Sequence, residues 1–113
     1  MGSFKFETSP ASHTLNVTVE GSFSQEDAAR FVAAYNDSVS KFNPQQYEIV
    51  LDCTTMNVTA PGVVPMLEQC YVMYKESGFK NVVFIIAKNP VLKMQLSRVA
   101  RNTKLEHYEI REV

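Results

Sequence analysis

Strand-sized apolar runs and helix-periodic stretches take turns along this chain, and that alternation restricts its fold more than any other feature. Phe4 and Phe6 alternate with polar neighbours over residues 3–8, and Leu15, Val17 and Val19 alternate again towards Gly21. Both are patterns of half-buried strands, and Ser9–Pro10–Ala11–Ser12 between them is turn chemistry. From Ala28 onward the period changes. Phe31, Val32, Tyr35, Val39 and Phe42 recur at helical spacing, behind a Ser24–Asp27 capping pair, until Asn43–Pro44 ends the helix.

The rest of the chain repeats this exchange. Tyr47, Ile49, Val50, Leu51 and Cys53 make a third strand, whose unbroken apolar middle implies cover on both faces. After a loop over residues 54–59, Pro61 suits the first turn of a second helix, and Gly78 suits its end. Val63, Met66, Leu67, Cys70 and Tyr74 form the buried stripe of that helix. Val82–Ile86 is apolar throughout and reads as a central strand. Asn89–Pro90 then opens a third helix, reaching about Ala100, that turns Leu92, Leu96 and Val99 inward. Tyr108, Ile110 and Val113 alternate in a last strand. The expected fold is therefore α/β, one domain over residues 1–113, in the order ββαβαβαβ. Its sheet is mixed and mostly parallel, with five strands joined by right-handed crossovers and three helices packed on it.

Composition narrows the function. A net charge of −1 argues against nucleic-acid or membrane partners held by bulk charge. No run approaches the roughly 20 apolar residues of a membrane span, and the first residues lack a signal peptide's basic start and apolar core, so a cytoplasmic location is expected. The charge is unevenly spread. Lys88, Lys93, Arg98, Arg101 and Lys104 share one stretch without an acid. That is a solvated helix with dipole-complementing cations, or a dock for an acidic partner.

Candidate catalytic groups do not converge. Cys53, at the carboxyl end of a strand, has no second cysteine at C-x-x-C spacing and no nearby histidine, and Cys70 falls in a buried stripe. Both read as core thiols. His13 stands in a turn, while His107 has only Glu109 at ligand spacing, so no metal site is expected. Glu26 and Asp27 are first-turn helix acids, and the scattered glycines make no phosphate loop. No enzyme activity and no cofactor are expected.

One stretch carries a resemblance. Glu48–Ile49–Val50–Leu51–Asp52–Cys53–Thr54 resembles the third strand of a STAS (SpoIIAA-like) domain, a hydrophobic run ending in Asp and then Ser or Thr. STAS domains are the module of anti-sigma factor antagonists, stressosome proteins and sulfate-transporter tails. The family's strand leads to Asp-Ser-x-Gly and an apolar helix. Here Thr59–Ala60–Pro61–Gly62 occupies that place, followed by helix, Gly78, strand and basic third helix, so the likeness spans residues 48–105. The resemblance implies a regulatory protein-binding module whose partner is an anti-sigma factor or kinase-like regulator, docked at the start of the second helix. The family's phosphorylated serine has no counterpart, because Ala60 or Pro61 stands in its place. Thr59, replacing the acid, is the one hydroxyl left there as a phosphosite.

The residues themselves point to the same place. Counted from Val63, the helical stripe leaves Pro65 and Val72 facing outward, with Val64 and Tyr71 at its margin. That is more apolar surface than a solvated helix needs. Thr54, Thr55 and Thr59 lie beside a helix N-terminus able to receive a carboxylate or phosphate. The expected partner surface is therefore Thr54, Thr55, Thr59, Ala60, Pro61, Gly62, Val64, Pro65, Tyr71 and Val72. A second copy of the chain, forming a homodimer, is the other occupant considered. The alternative function is a domain that binds a small apolar ligand or lipid, which an apolar cleft open to solvent would favour.

Overall fold

The computed structural model describes residues 2–113. Its strands are β1 (Ser3–Ser9), β2 (Thr14–Gly21), β3 (Glu48–Met56), β4 (Val82–Ile86) and β5 (Tyr108–Glu112). Its helices are α1 (Gln25–Val39), α2 (Val64–Ser77) and α3 (Pro90–Thr103), with a short 3-10 turn at Pro44–Gln46. The strands form one sheet in the order β1-β2-β3-β4-β5; β1 runs antiparallel to β2 and every other pair is parallel. The expected order and pairing senses are all present. Val82–Ile86 is paired on both sides, although β3 is the middle strand.

Successive crossovers that step the same way across a sheet, each right-handed, place their helices on one face. Burial follows that rule. Leu15, Val17 and Val19 of β2, Ile49, Leu51 and Cys53 of β3, and Val82, Phe84 and Ile86 of β4 are all buried, at alternating positions. The register lines them up in rows across the strands, such as Phe6–Val17–Leu51–Phe84–Ile110. Fully burying each large apolar side chain contributes ~1.5–3 kcal/mol.

The intervening residues face the other way. Val50 pairs with Val83 and Val83 with Glu109, while Asp52 pairs with Ile85 and Ile85 with Arg111. The expectation that β3 is covered on both faces is corrected here. An apolar run of this length served one helix-covered face and one small apolar patch, in which Val83 is screened by its neighbours rather than by a helix.

Each helix has its own anchor. Phe31 of α1 meets Phe4, Phe6 and Phe23 with ring centroids 5.5, 5.2 and 6.3 Å apart. The Tyr35 hydroxyl reaches Ser77 Oγ at 2.7 Å, tying α1 to α2. The α2 helix ends at Gly78, whose φ of 79° is left-handed and suits glycine. In α3, Asn89 Oδ1 accepts from Leu92 N at 3.1 Å ahead of the buried Leu92, Leu96 and Val99. The helix runs on to Thr103, beyond the expected Ala100, and Val113 lies outside β5.

Candidate functional site

Two boundaries near the expected partner surface differ from the sequence reading. The β3 strand continues to Met56, because an irregularity after Thr18 lets Glu20 and Gly21 pair with Thr55 and Met56. Thr54 and Thr55 therefore belong to the strand. Thr54 N and Oγ1 both donate to Asp52 Oδ1, at 3.1 and 2.8 Å, and Thr55 Oγ1 donates to Glu20 Oε2 at 3.3 Å. At the other boundary α2 begins at Val64, so Pro65 occupies the first turn expected for Pro61. Ala60, Pro61 and Gly62 form an exposed turn before it, closed by Val63 N donating to the Ala60 carbonyl at 2.9 Å.

The start of α2 is a poor anion receiver. Val63 provides no side-chain cap, Pro65 has no N–H, and those of Met66 and Leu67 are taken by the Val63 carbonyl. Its surface is partly apolar instead. Pro65 is exposed, Val64 half-buried, and Val58 and Val72 are 39% and 38% exposed. Pro65, Gln69, Val72 and Glu76 make one outward stripe of the helix.

Tyr71 is not part of that surface. It is wholly buried, stacked on Phe84 with a centroid distance of 5.1 Å, and its hydroxyl donates to the Leu96 carbonyl at 3.2 Å. The margin position expected from the helical count is overturned because α3 supplies a partner for the phenol. A buried tyrosine needs that partner.

Thr59 is also drawn inward. It is 8% exposed, and Gln95 of α3 holds both its backbone groups: Thr59 N donates to Gln95 Oε1 at 2.8 Å, and Gln95 Nε2 donates to the Thr59 carbonyl at 2.9 Å. Its side-chain hydroxyl is buried and has no protein partner. Leaving such a group unsatisfied costs about 1–3 kcal/mol. Burial closes Thr59 to a kinase unless this segment leaves its place, so the phosphosite expectation has no geometric support.

Beneath the same loop, between α1, α2 and the sheet, lies an apolar cleft. It is open to solvent on one side and offers about 60 Å³ to water-sized occupants. Leu51, Cys53, Tyr71 and Phe84 form its buried wall, and the half-buried Phe23, Met56, Met66 and Leu67 form its rim. Thr59 and Cys70 also line it, and no charged side chain does. Spacing along the chain gave no sign of this cleft, since its lining comes from every layer of the fold.

The thiols lie in the core. Burial pushes Cys53 and Cys70 each up to about 12, with Asp52 adding to the effect on Cys53, so neither is a thiolate at neutral pH. No group of three potential metal ligands occurs among the described residues, and no described helix is long and apolar enough to cross a membrane. On the basic stretch, Lys93 pairs with Glu112 at 2.7 Å. Val91 and Met94 of the same helix are exposed.

No protein-family model matches the chain, and no curated protein matches it in sequence. Solved structures do. An uncharacterised protein of the DUF3478 family with a SpoIIAA-like fold, from Shewanella loihica PV-4, matches with a TM-score of 0.69 and 15% identity, over 96% of this chain and 84% of that one. An anti-sigma factor antagonist from Mycobacterium paratuberculosis matches with a TM-score of 0.62 and 13% identity, over 96% of this chain and 86% of that one. The chain has a SpoIIAA-like fold, the fold of STAS domains.

Proposed function

We propose that this single-domain chain is a cytoplasmic, non-catalytic regulatory module that docks a protein partner through the β3–α2 turn and the outer stripe of α2. The observation that carries this reading is the run of exposed residues Val58, Ala60, Pro61, Gly62, Pro65 and Val72, with Val64 at its edge, at a helix start that has no cap of its own. Its apolar character suits a nonpolar patch on a partner better than a phosphate. The fold shared with an anti-sigma factor antagonist supports an anti-sigma factor or kinase-like regulator as that partner. Regulation by a serine phosphate is absent from the proposal, because Ala60 and Pro61 have no hydroxyl and Thr59 is buried.

Val72→Glu tests the surface. At this outward position the change should cost ~0.5 kcal/mol or less in stability. It should weaken partner binding by about tenfold or more, as read by calorimetry with an anti-sigma factor from the protein's own cell. Cys70→Glu, on the buried side of the same helix, should cost about 3–5 kcal/mol by burying a charge without a partner. Undiminished binding by a folded Val72→Glu variant removes the surface from consideration.

A further inference from the structure

We propose that β5 is a self-pairing edge, along which two copies of this chain join antiparallel, centred on Ile110, and continue the sheet through both. The backbone sets which residues are free to pair. Val82 N donates to the His107 carbonyl at 2.8 Å, and Val113 N donates to the Ile86 carbonyl at 2.9 Å. With Val82 opposite Tyr108 and Ile86 opposite Glu112, parallel alternation turns the backbone groups of Glu109 and Arg111 towards β4. Those of Tyr108, Ile110 and Glu112 then point out of the sheet, ready for another strand. Side chains choose the register. Centring on Ile110 pairs Tyr108 with the partner's Glu112 and sets Glu109 opposite the partner's Arg111, twice by symmetry. Both charged side chains reach solvent. A centre at Glu109 or Arg111 would instead set two glutamates or two arginines face to face, which destabilises a sheet. At the axis the half-buried Ile110 meets its own copy. The opposite edge has a similar alternation, with Lys5 and Glu7 flanking Phe6, but α1 stands over it: Phe31 meets Phe4 and Phe6 at 5.5 and 5.2 Å. Paired strands lie about 4.8 Å apart and packed helices need about 8–10 Å, so a copy added there would force two α1 helices together. Among the described residues no helix packs comparably close to β5.

This edge shares no residue with the β3–α2 surface, so neither reading depends on the other. In sedimentation equilibrium the full chain should be monomeric at about 10 µM and increasingly dimeric towards about 1 mM, the weak association expected of one short strand from each copy. Concentrating the protein should slow amide exchange at Tyr108, Ile110 and Glu112. Glu109 and Arg111, already bonded to β4, should not change. Glu109→Arg and Arg111→Glu each set like charges opposite one another and should weaken dimerisation about tenfold or more. Mixed in equal amounts, the two variants should pair with each other about as well as the parent pairs with itself, which a loss of folding could not produce. Val72→Glu should dimerise like the parent. Should either charge variant fail to fold, the parent's amide pattern decides alone. A chain that stays monomeric at about 1 mM overturns the proposal and leaves Glu109 and Arg111 as guards against edge pairing. A dimer that slows Phe4, Phe6 and Thr8 instead, or that Val72→Glu abolishes, overturns it as well. So do folded charge variants that fail to combine when mixed.

Discussion

The first turn of α1 and the first turn of α2 solve the same problem in opposite ways. In α1, Ser24 Oγ accepts from Asp27 N at 3.1 Å, and Asp27 Oδ2 accepts from Ser24 N at 3.0 Å and from Gly2 N at 3.1 Å, while Arg30 pairs with the same carboxylate. That start is closed mainly by its own residues, with Gly2 N as a donor from outside the helix. In α2 the cap is Val63, which makes no side-chain bond, and the approach is held from elsewhere. Gln95 of α3 grips Thr59, and Gln25 Nε2 of α1 donates to the Gly62 carbonyl at 3.3 Å. A start closed mainly from within draws less on its surroundings. One held by side chains of other helices takes its position from them, and it is also the one that fronts the cleft and the exposed turn.

That contrast can be broken by experiment, and the largest effect should come from the outside clamp. Gln95→Leu removes both bonds to Thr59 and leaves its N–H and carbonyl in a mostly buried place. A loss of about 2 kcal/mol is expected in urea unfolding, with the fastest amide exchange concentrated in residues 57–63. If the loss is absent, the loop is held by something other than Gln95.

At α1 the contrast appears as a pH dependence. Hydrogen bonds from Ser24 N and Gly2 N, with Arg30 adding its charge, hold the Asp27 carboxyl below its usual value. Its pKa is lower folded than unfolded, so its stabilisation is complete above the ordinary aspartate value of about 4. It is lost as the pH falls through the lowered one. Melting temperatures of the parent chain and of Asp27→Asn should therefore differ most near neutrality and converge in acid. A constant difference down to acid would show that the carboxylate charge is not what holds this cap.

Smaller still is Ser24→Ala, which removes one half of the capping box and should cost ~1 kcal/mol. The smallest effect belongs to Gly62→Ala. A Cβ there would meet nothing within 4 Å, so stability should change by less than ~0.5 kcal/mol. A loss comparable to that of Ser24→Ala would mean the exposed turn carries structure that its open surroundings do not show.

The same contrast explains what could be read from the sequence. The start of α1 was legible because Ser24 and Asp27 are local to each other, and the strand and helix periods were legible for the same reason. The start of α2 was not. Pro61 and Pro65 both fit a first-turn position, and the choice is made by Gln95 and Gln25, which belong to other helices. Val72 lay outward as the period required, but Tyr71 was misplaced because its partner is a carbonyl of α3. The two-sided cover expected of β3 failed because Val50 and Val83 are apolar without having a helix over them. The cleft was invisible, since a void has no residues of its own and depends on how three layers fail to meet.

Strand order has a further consequence, for how the molecule comes together. Each strand lies next to its neighbour in the chain, so no pairing waits for a segment beyond the next crossover. Loop closure is then taken in short steps, which favours fast folding relative to sheets whose strands join from distant parts of the chain. A chain lengthening from its amino end could lay down β2, β3, β4 and β5 in the order they are made, each finding its template already in place. Throughout that growth β1 holds one edge and the newest strand holds the other. The finished sheet keeps two edges, β1 and β5, and β5 has only β4 to join.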